Sequence, residues 1–161
     1  MTKQTDKSST SAKVVQLPVT RKEKRRAEDK FGTQVMKHGY TMLPNLLLQA
    51  QGRLEISHAE FNVLVQLVFH WWDADKDPYP AKDTIARRMG LSPRQVQRYL
   101  TKLEDAGFIK RIERFSGKNA QIANAYSLDG LVEKLKAIEP EFRKVAEQKK
   151  IRQRKVETNS A

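Results

Sequence analysis

Gly90 and the residues on either side of it constrain the fold more than any other part of the sequence. Residues 82–89 have the apolar spacing of a short helix, and Gly90 readily adopts the left-handed conformation that ends one. Ser92 and Pro93 then supply an N-cap and a proline at the first helical position, where its missing amide hydrogen costs nothing. The sequence therefore predicts two helices joined by a tight turn, the second of them extending to residue 106.

The second of these helices has one apolar and one polar face. Val96, Leu100 and Leu103 recur at steps of four and three, so they form the face that is predicted to be buried. Arginine and glutamine, which dominate the opposite face, are the side chains that pair bidentately with guanine and adenine in the DNA major groove. Two short helices around a glycine turn form a helix-turn-helix, whose second helix contacts bases near its start. We therefore expect base contacts from Ser92, Arg94, Gln95, Gln97 and Arg98.

Basic and hydroxyl side chains surround this predicted recognition helix. On the preceding helix and on later turns of the recognition helix itself, they are placed to contact phosphate. Such contacts hold a protein in register on a duplex without reading its sequence. The predicted backbone-contacting residues are Lys82, Thr84, Arg87, Arg88, Thr101 and Lys102.

A further helix is predicted before this pair. Ser57 and Glu60 form a capping-box pattern, which marks a helix start. Upstream, residues 40–51 predict an extended entry followed by one or two helical turns, and downstream residues 73–80 predict a loop. The expected buried stripe of the helix is Phe61, Leu64, Val65, Val68, Phe69 and Trp72.

A hairpin and a helical tail are predicted after the recognition helix. Residues 108–115 are strand-like, residues 116–119 are typical of a turn, and residues 125–128 can return as the second strand. Apolar residues then recur at steps of four and three, with a bend or restart expected at Pro140. This seam favours pairing with a second copy over packing on its own domain, and it comprises Leu131, Leu135, Ile138, Phe142 and Val145.

The region from residue 40 to residue 128 resembles the winged helix-turn-helix family of plasmid and phage replication initiators and of MarR-like and GntR-like regulators. The resemblance lies in the sequences at residues 40–47, 79–86, 90–98, 103–111 and 124–128. It implies an α+β, mostly α fold with a two-stranded wing and a C-terminal helical tail. It also implies that the wing contacts phosphate or the minor groove, through Arg114, Ser116, Lys118 and Asn119.

The charge of the chain favours double-stranded DNA as the partner. There are 31 Lys and Arg residues against 19 Asp and Glu residues, which gives a net charge of +12. Residues 1–36 are predicted to be a flexible basic arm, 37–130 the DNA-binding domain, 131–155 the helical tail and 156–161 a disordered end. The basic ends could contact DNA or a protein partner.

Several kinds of protein and site are not expected. With no cysteine and three widely spaced histidines, neither a metal site nor a cofactor is predicted, and no catalytic constellation is present. The sequence shows neither a signal-peptide pattern nor a long apolar run, so a cytoplasmic protein is expected. Because no catalytic constellation is present, an enzyme is not expected. Trp71 and Trp72, beside three aspartates, favour a core or interface role over base stacking.

The sequence leaves the biological role of this DNA binding open. A homodimeric transcriptional regulator is favoured over a replication-initiation protein of a plasmid or phage. An architectural or partition protein whose tails recruit partners also fits the sequence. An RNA-binding protein that uses its basic arms fits it less well.

Overall fold

The computed structural model describes residues 27–117 and 120–158. The described structure divides into two units, with the boundary between Tyr40 and Thr41. In chain order the helices and strands are α1 (Ala27–Phe31), α2 (Thr33–Met36), α3 (Asn45–Gln49), a 3-10 turn (Gln51–Arg53), α4 (His58–Phe69), α5 (Lys82–Met89), α6 (Pro93–Asp105), β1 (Lys110–Phe115), β2 (Gln121–Ser127) and α7 (Asp129–Thr158).

The described part of the first unit forms two short helices within residues 27–36, where a flexible arm was predicted. Glu28 and Asp29 lie in the first turn of α1, where carboxylates complement the positive end of the helix dipole. Gly32, with φ +83°, separates α1 from α2. The part of the predicted arm in residues 1–26 lies outside the described residues.

The core of the second unit lies between α4, α5 and α6. The helix α6 packs against both α4 and α5, and its residues Val96, Leu100 and Leu103 are fully buried, as predicted. The core is completed by Leu47, Leu54, Val63, Leu64, Leu67, Ile85, Ala86, Phe108, Ile109, Tyr126, Leu128 and Leu131. The hairpin and the first turn of α7 thus contribute to the same core as the three helices.

The capping box of α4 is present as predicted, and the buried face of the helix agrees with the predicted stripe only in part, at Leu64 and at the partly buried Phe61 and Val68. Val63, Leu64 and Leu67 are buried, whereas Phe61 and Val65 are half-buried. The helix is apolar on most of its circumference, so its spacing did not fully distinguish the buried side. Trp72 was predicted to extend the stripe, but α4 ends at Phe69 and the Trp72 side chain is 74% exposed.

The turn between α5 and α6 has the predicted structure. Gly90 has φ +66° and caps α5 in the left-handed conformation. The amide of Leu91 donates to the carbonyl of Ala86 at 2.9 Å, and the Leu91 side chain packs against the core. Pro93 is in the first turn of α6.

The hairpin is antiparallel and longer on its second strand than predicted. Lys110 lies opposite Ser127 and Phe115 opposite Gln121, with a bulge between Ile112 and Arg114. Beyond the ladder, the Tyr126 amide donates to the carbonyl of Pro78 at 2.9 Å. This bond ties the hairpin to the segment just before α5.

The tail is one continuous helix through Pro140, so it does not restart there, which was one of the two predicted outcomes. Proline removes one helical hydrogen bond, but the turns around it are held to the body of the protein. On one side Ile138 packs against the core, and on the other Glu141 forms an ion pair with Arg53 at 2.7 Å. Residues 156–158, predicted to be disordered, belong to this helix, whereas residues 159–161 lie outside the described part.

The predicted dimer seam packs mainly on its own domain. Leu131 is buried, Leu135 and Ile138 pack against the core, and Phe142 is half-buried with the Arg53 guanidinium 6.0 Å from its ring centre. Val145 is 51% exposed. Homodimerisation through this seam stays a prediction.

Within the described residues, no helix is both long and apolar enough to span a membrane.

Candidate nucleic-acid interface

The outward face of α6 is polar and open. Arg94 and Arg98 are exposed, on the side away from the buried leucines. The Arg94 side chain makes no hydrogen bond, ion pair or ring contact with any residue in the described part of the chain. The Arg98 guanidinium lies 5.7 Å from the Tyr99 ring centre. A shallow depression runs over this face and is lined by Ser92, Arg94, Gln95, Gln97 and Arg98.

Two of the five predicted base-contacting residues are used to cap α6. The Ser92 hydroxyl accepts from the Gln95 amide at 3.2 Å, and the Gln95 side-chain oxygen accepts from the Ser92 amide at 2.9 Å. The Ser92 hydroxyl also donates to that oxygen at 3.0 Å. These groups satisfy free donors at the helix start, so Ser92 and Gln95 have a structural role in this chain.

Replacing Ser92 with alanine should therefore lower the free energy of unfolding by about 1 kcal/mol, the usual cost of losing an N-cap. Urea denaturation followed by circular dichroism measures the effect. The Ser92→Asp variant restores an acceptor and should retain most of the stability. If Ser92→Ala unfolds at the same urea concentration as the natural protein, the cap contributes nothing.

Gln97 is held in place from two sides. Its side-chain oxygen accepts from the ammonium group of Lys82 on α5 at 2.8 Å, and its amide nitrogen lies 3.5 Å from the Thr101 hydroxyl. The Thr101 hydroxyl donates to the Gln97 carbonyl at 3.0 Å and accepts from Arg111 on β1 at 3.2 Å. The orientation of the Gln97 amide is therefore set before any ligand binds.

An ion pair joins the hairpin to α6. The Glu104 carboxylate accepts from the Arg111 backbone amide at 2.8 Å and from its side-chain Nε at 2.6 Å. Although burial raises the pKa of Glu104, the hydrogen bonds and charge of Arg111 outweigh it and hold the pKa below its ordinary value. Burial also raises the pKa of Tyr126, which lies opposite Arg111 in the hairpin.

The two arginines of α5 differ in their surroundings. Arg87 is exposed and makes no contact of its side chain with the described residues. Arg88 lies 2.8 Å from the His70 ring nitrogen and 4.8 Å from the Phe69 ring centre, so it also packs on the end of α4. Partial burial and then the charge of Arg88 lower the pKa of His70. The Arg87 side chain therefore makes fewer contacts within the described residues than the Arg88 side chain.

Lys102, predicted to contact phosphate, forms an ion pair with α4. Its ammonium group lies 3.2 Å from the Glu60 carboxylate, which also closes the capping box of α4. Burial raises the pKa of Glu60, but the Ser57 amide and Lys102 together hold it below its ordinary value. The Lys102 side chain is still largely exposed, so one side of the ammonium group faces solvent.

The wing presents one arginine in a fixed position. The Arg114 guanidinium stacks 4.1 Å from the Tyr79 ring centre and donates to the Ala123 carbonyl at 3.4 Å. The Ser116 amide donates to the Ala120 carbonyl at 2.9 Å and closes the turn. The remaining two predicted wing residues, Lys118 and Asn119, lie outside the described part of the chain.

Residues 54–109 match a family model described as a helix-turn-helix domain. They include α4, α5, the Gly90 turn and α6, which are the elements that carry the polar face described above. The chain contains a helix-turn-helix domain. Domains of this kind bind DNA and place the second helix of the motif in the major groove. No curated protein matches the chain.

One solved structure extends the likeness beyond the helix-turn-helix domain. The N-terminal domain of the DnaD protein from Geobacillus kaustophilus HTA426 is similar, with a TM-score of 0.50 and 21% identity, over 75% of this chain and 96% of that one. A "possible transcriptional regulator" from Methanosarcina mazei Go1 has a TM-score of 0.40 and 17% identity, over 65% and 82% of the two chains. With its hairpin, the helix-turn-helix domain has a winged helix-turn-helix fold.

Clusters of metal-ligating side chains are not found among the described residues. In residues 27–117 and 120–158, no group of three or more His, Cys, Asp or Glu side chains is arranged to hold a metal ion.

The residues that position the polar face of α6 were not all apparent from the sequence. The pattern Ser92-Pro-Arg-Gln95 did contain the capping-box signal, whereas the contacts of Arg111 depend on how the hairpin folds back.

Proposed function

We propose that this protein binds double-stranded DNA sequence-specifically, with α6 in the major groove, and acts as a transcriptional regulator. The observation that carries the proposal is the exposed pair Arg94 and Arg98 on the open face of a helix whose opposite face is fully buried. The major groove is about 12 Å wide and admits one α-helix, which brings such side chains to the base edges.

Three of the predicted base-contacting residues keep groups available for bases. Arg94 and Arg98 carry planar guanidinium groups that suit guanine, which offers two acceptors in the major groove. Gln97 keeps hydrogen-bonding capacity on its side-chain amide, although Lys82 and Thr101 fix its orientation. Pre-organised side chains lose less conformational entropy on binding than mobile ones, which favours selective recognition.

The residues around α6 support a second set of contacts, to the DNA backbone. Arg87 on α5 is exposed and its side chain has no partner in the described residues, and Arg114 is held on the wing by Tyr79. Because the hairpin is joined to α6 through Glu104 and Arg111, the wing and the recognition helix would meet the duplex together. Thr84, Ser116, Lys118 and Asn119 complete the proposed phosphate or minor-groove contacts.

Replacing Arg94 with alanine should weaken binding to the cognate site by about 1 to 3 kcal/mol and leave binding to random DNA nearly unchanged. The reason is that a base contact contributes only where the correct base is present. Arg87→Ala is the matched control, because a phosphate contact should weaken binding to both duplexes alike. Selected-site enrichment with the purified protein supplies the cognate duplex, and fluorescence anisotropy at fixed salt measures both affinities.

Equal losses on cognate and random DNA for Arg94→Ala would show that α6 does not read bases.

Footprinting on genomic DNA tests the regulatory role. One discrete protected site beside a promoter agrees with transcriptional regulation. A row of repeated sites or extended spreading would instead support a role in replication or partition.

A further inference from the structure

The second half of α7 leaves the body of the protein. No residue after Phe142 is even half-buried in the described part of this helix. Residues 143–158 therefore form an exposed helix about 24 Å long, at 1.5 Å per residue. A helix of this length without a buried face gains little from packing on its own domain, so its surface is available to a partner.

This projecting half of α7 is strongly basic. It holds seven Lys and Arg residues against two Glu residues. Five of these cations have side chains that make no ion pair, hydrogen bond or ring contact with any described residue, and they are Lys149, Lys150, Arg152, Arg154 and Lys155. Lys150 and Arg154 are also four positions apart on one face, where like charges repel each other. The helix would be stabilised by a polyanion.

A second copy of the chain is a poor partner for the projecting half of α7. The seam that begins at Leu131 reaches Val145 and then, at the next steps of four and three, meets Lys149 and Arg152. In a coiled coil these cations would occupy core positions and face the same cations of the second helix. Self-association along residues 143–158 would therefore bury unpaired like charges, which costs free energy.

We propose that the projecting half of α7 binds the phosphate backbone of duplex DNA, as a sequence-independent contact separate from the recognition helix. The inference rests on the proposed function, because it places the second contact in the same DNA complex. Charge complementarity carries it: five free cations on a short helix meet a polymer with one negative charge per about 1.7 Å of duplex axis. Binding would neutralise cations that otherwise repel one another.

The test is the salt dependence of binding in full-length protein. A variant with Lys149→Gln, Lys150→Gln, Arg152→Gln, Arg154→Gln and Lys155→Gln is compared with the natural protein on a random duplex of about 30 base pairs. Each phosphate contact contributes about −0.9 to the log-log slope of affinity against salt, so a loss of three to five contacts flattens the slope by about 2.7 to 4.5. The charge-preserving swap of Lys and Arg at the same five positions should keep the original slope.

An unchanged slope in the glutamine variant would overturn the inference, as would an equal flattening in the charge-preserving variant. A preference of the tail-dependent binding for duplex RNA over DNA would overturn it as well, and so would a dimer in solution that becomes a monomer in the glutamine variant. The proposed function is read out separately, as the ratio of cognate to random affinity. If that ratio persists while the slope is unchanged, only the tail inference fails.

Discussion

Replacing Gly130 with alanine should destabilise the protein by about 3 kcal/mol, the upper end of the usual cost of overpacking. A methyl group at Gly130, in the first turn of α7, would overlap the carbonyl oxygen of Gly107. That oxygen belongs to the backbone just after α6, so it cannot move aside as a flexible side chain would. The two glycines hold the start of α7 against the end of α6 and thereby close the base of the hairpin between them.

Two more glycines are matched controls for this prediction. Gly52 has open space around it and no positive φ, so Gly52→Ala should be neutral or slightly stabilising. Gly90 has open space but φ +66°, so Gly90→Ala should cost about 1 kcal/mol through backbone strain alone. Thermal and urea unfolding of the three variants gives the ranking. A Gly130→Ala protein as stable as Gly52→Ala would show that α7 can shift away from Gly107.

The local elements of the winged helix-turn-helix could be predicted from sequence because their signals are local. Gly90 ends α5, the Ser92 N-cap begins α6, and the buried face of α6 follows directly from three apolar positions on an otherwise polar helix. The buried face of α4 could be predicted in this way only in part. Its side chains are apolar nearly all round, and only packing against α6 selects which of them are buried.

The polar face of α6 was predicted in outline but not in the use of each residue. Arginine and glutamine at outward positions indicated base reading, yet Gln95 folds back onto Ser92 to cap the helix. The contact of Gln97 with Lys82 joins residues from two helices, and the spacing of residues along the sequence does not predict such a pair. Contacts between residues far apart in the sequence depend on the tertiary arrangement. The close approach of Gly130 to the backbone of Gly107 is the clearest example.

Neutralising Glu104 should have the second largest effect, a loss of about 2 kcal/mol in the free energy of unfolding for Glu104→Gln at neutral pH. The carboxylate accepts three donors from Arg111, and both side chains are less than one-third exposed. Glutamine has the same shape but carries no charge, and its amide nitrogen would oppose a donor of Arg111. The hairpin would then be held less firmly on α6.

The pH dependence gives the sharper test, because it separates the charge of Glu104 from its shape. The folded protein holds the pKa of Glu104 below its ordinary value of 4.5, so the carboxylate stabilises the fold above that pH. As the pH falls through the lowered pKa, the carboxylate takes up a proton and this stabilisation is lost. The difference in unfolding free energy between the natural protein and Glu104→Gln should therefore be constant from about pH 6 to 8 and shrink below about 4.5.

Two comparisons make the Glu104 result specific. Asp105 is the exposed neighbour and forms no ion pair within the described residues, so Asp105→Asn should change stability by less than about 0.5 kcal/mol. Glu60 also has a lowered pKa, but it is present in both proteins, so its titration cancels in the difference. A Glu104→Gln difference that does not shrink as the pH is lowered below 4.5 would mean that shape and not charge joins the wing to the recognition helix.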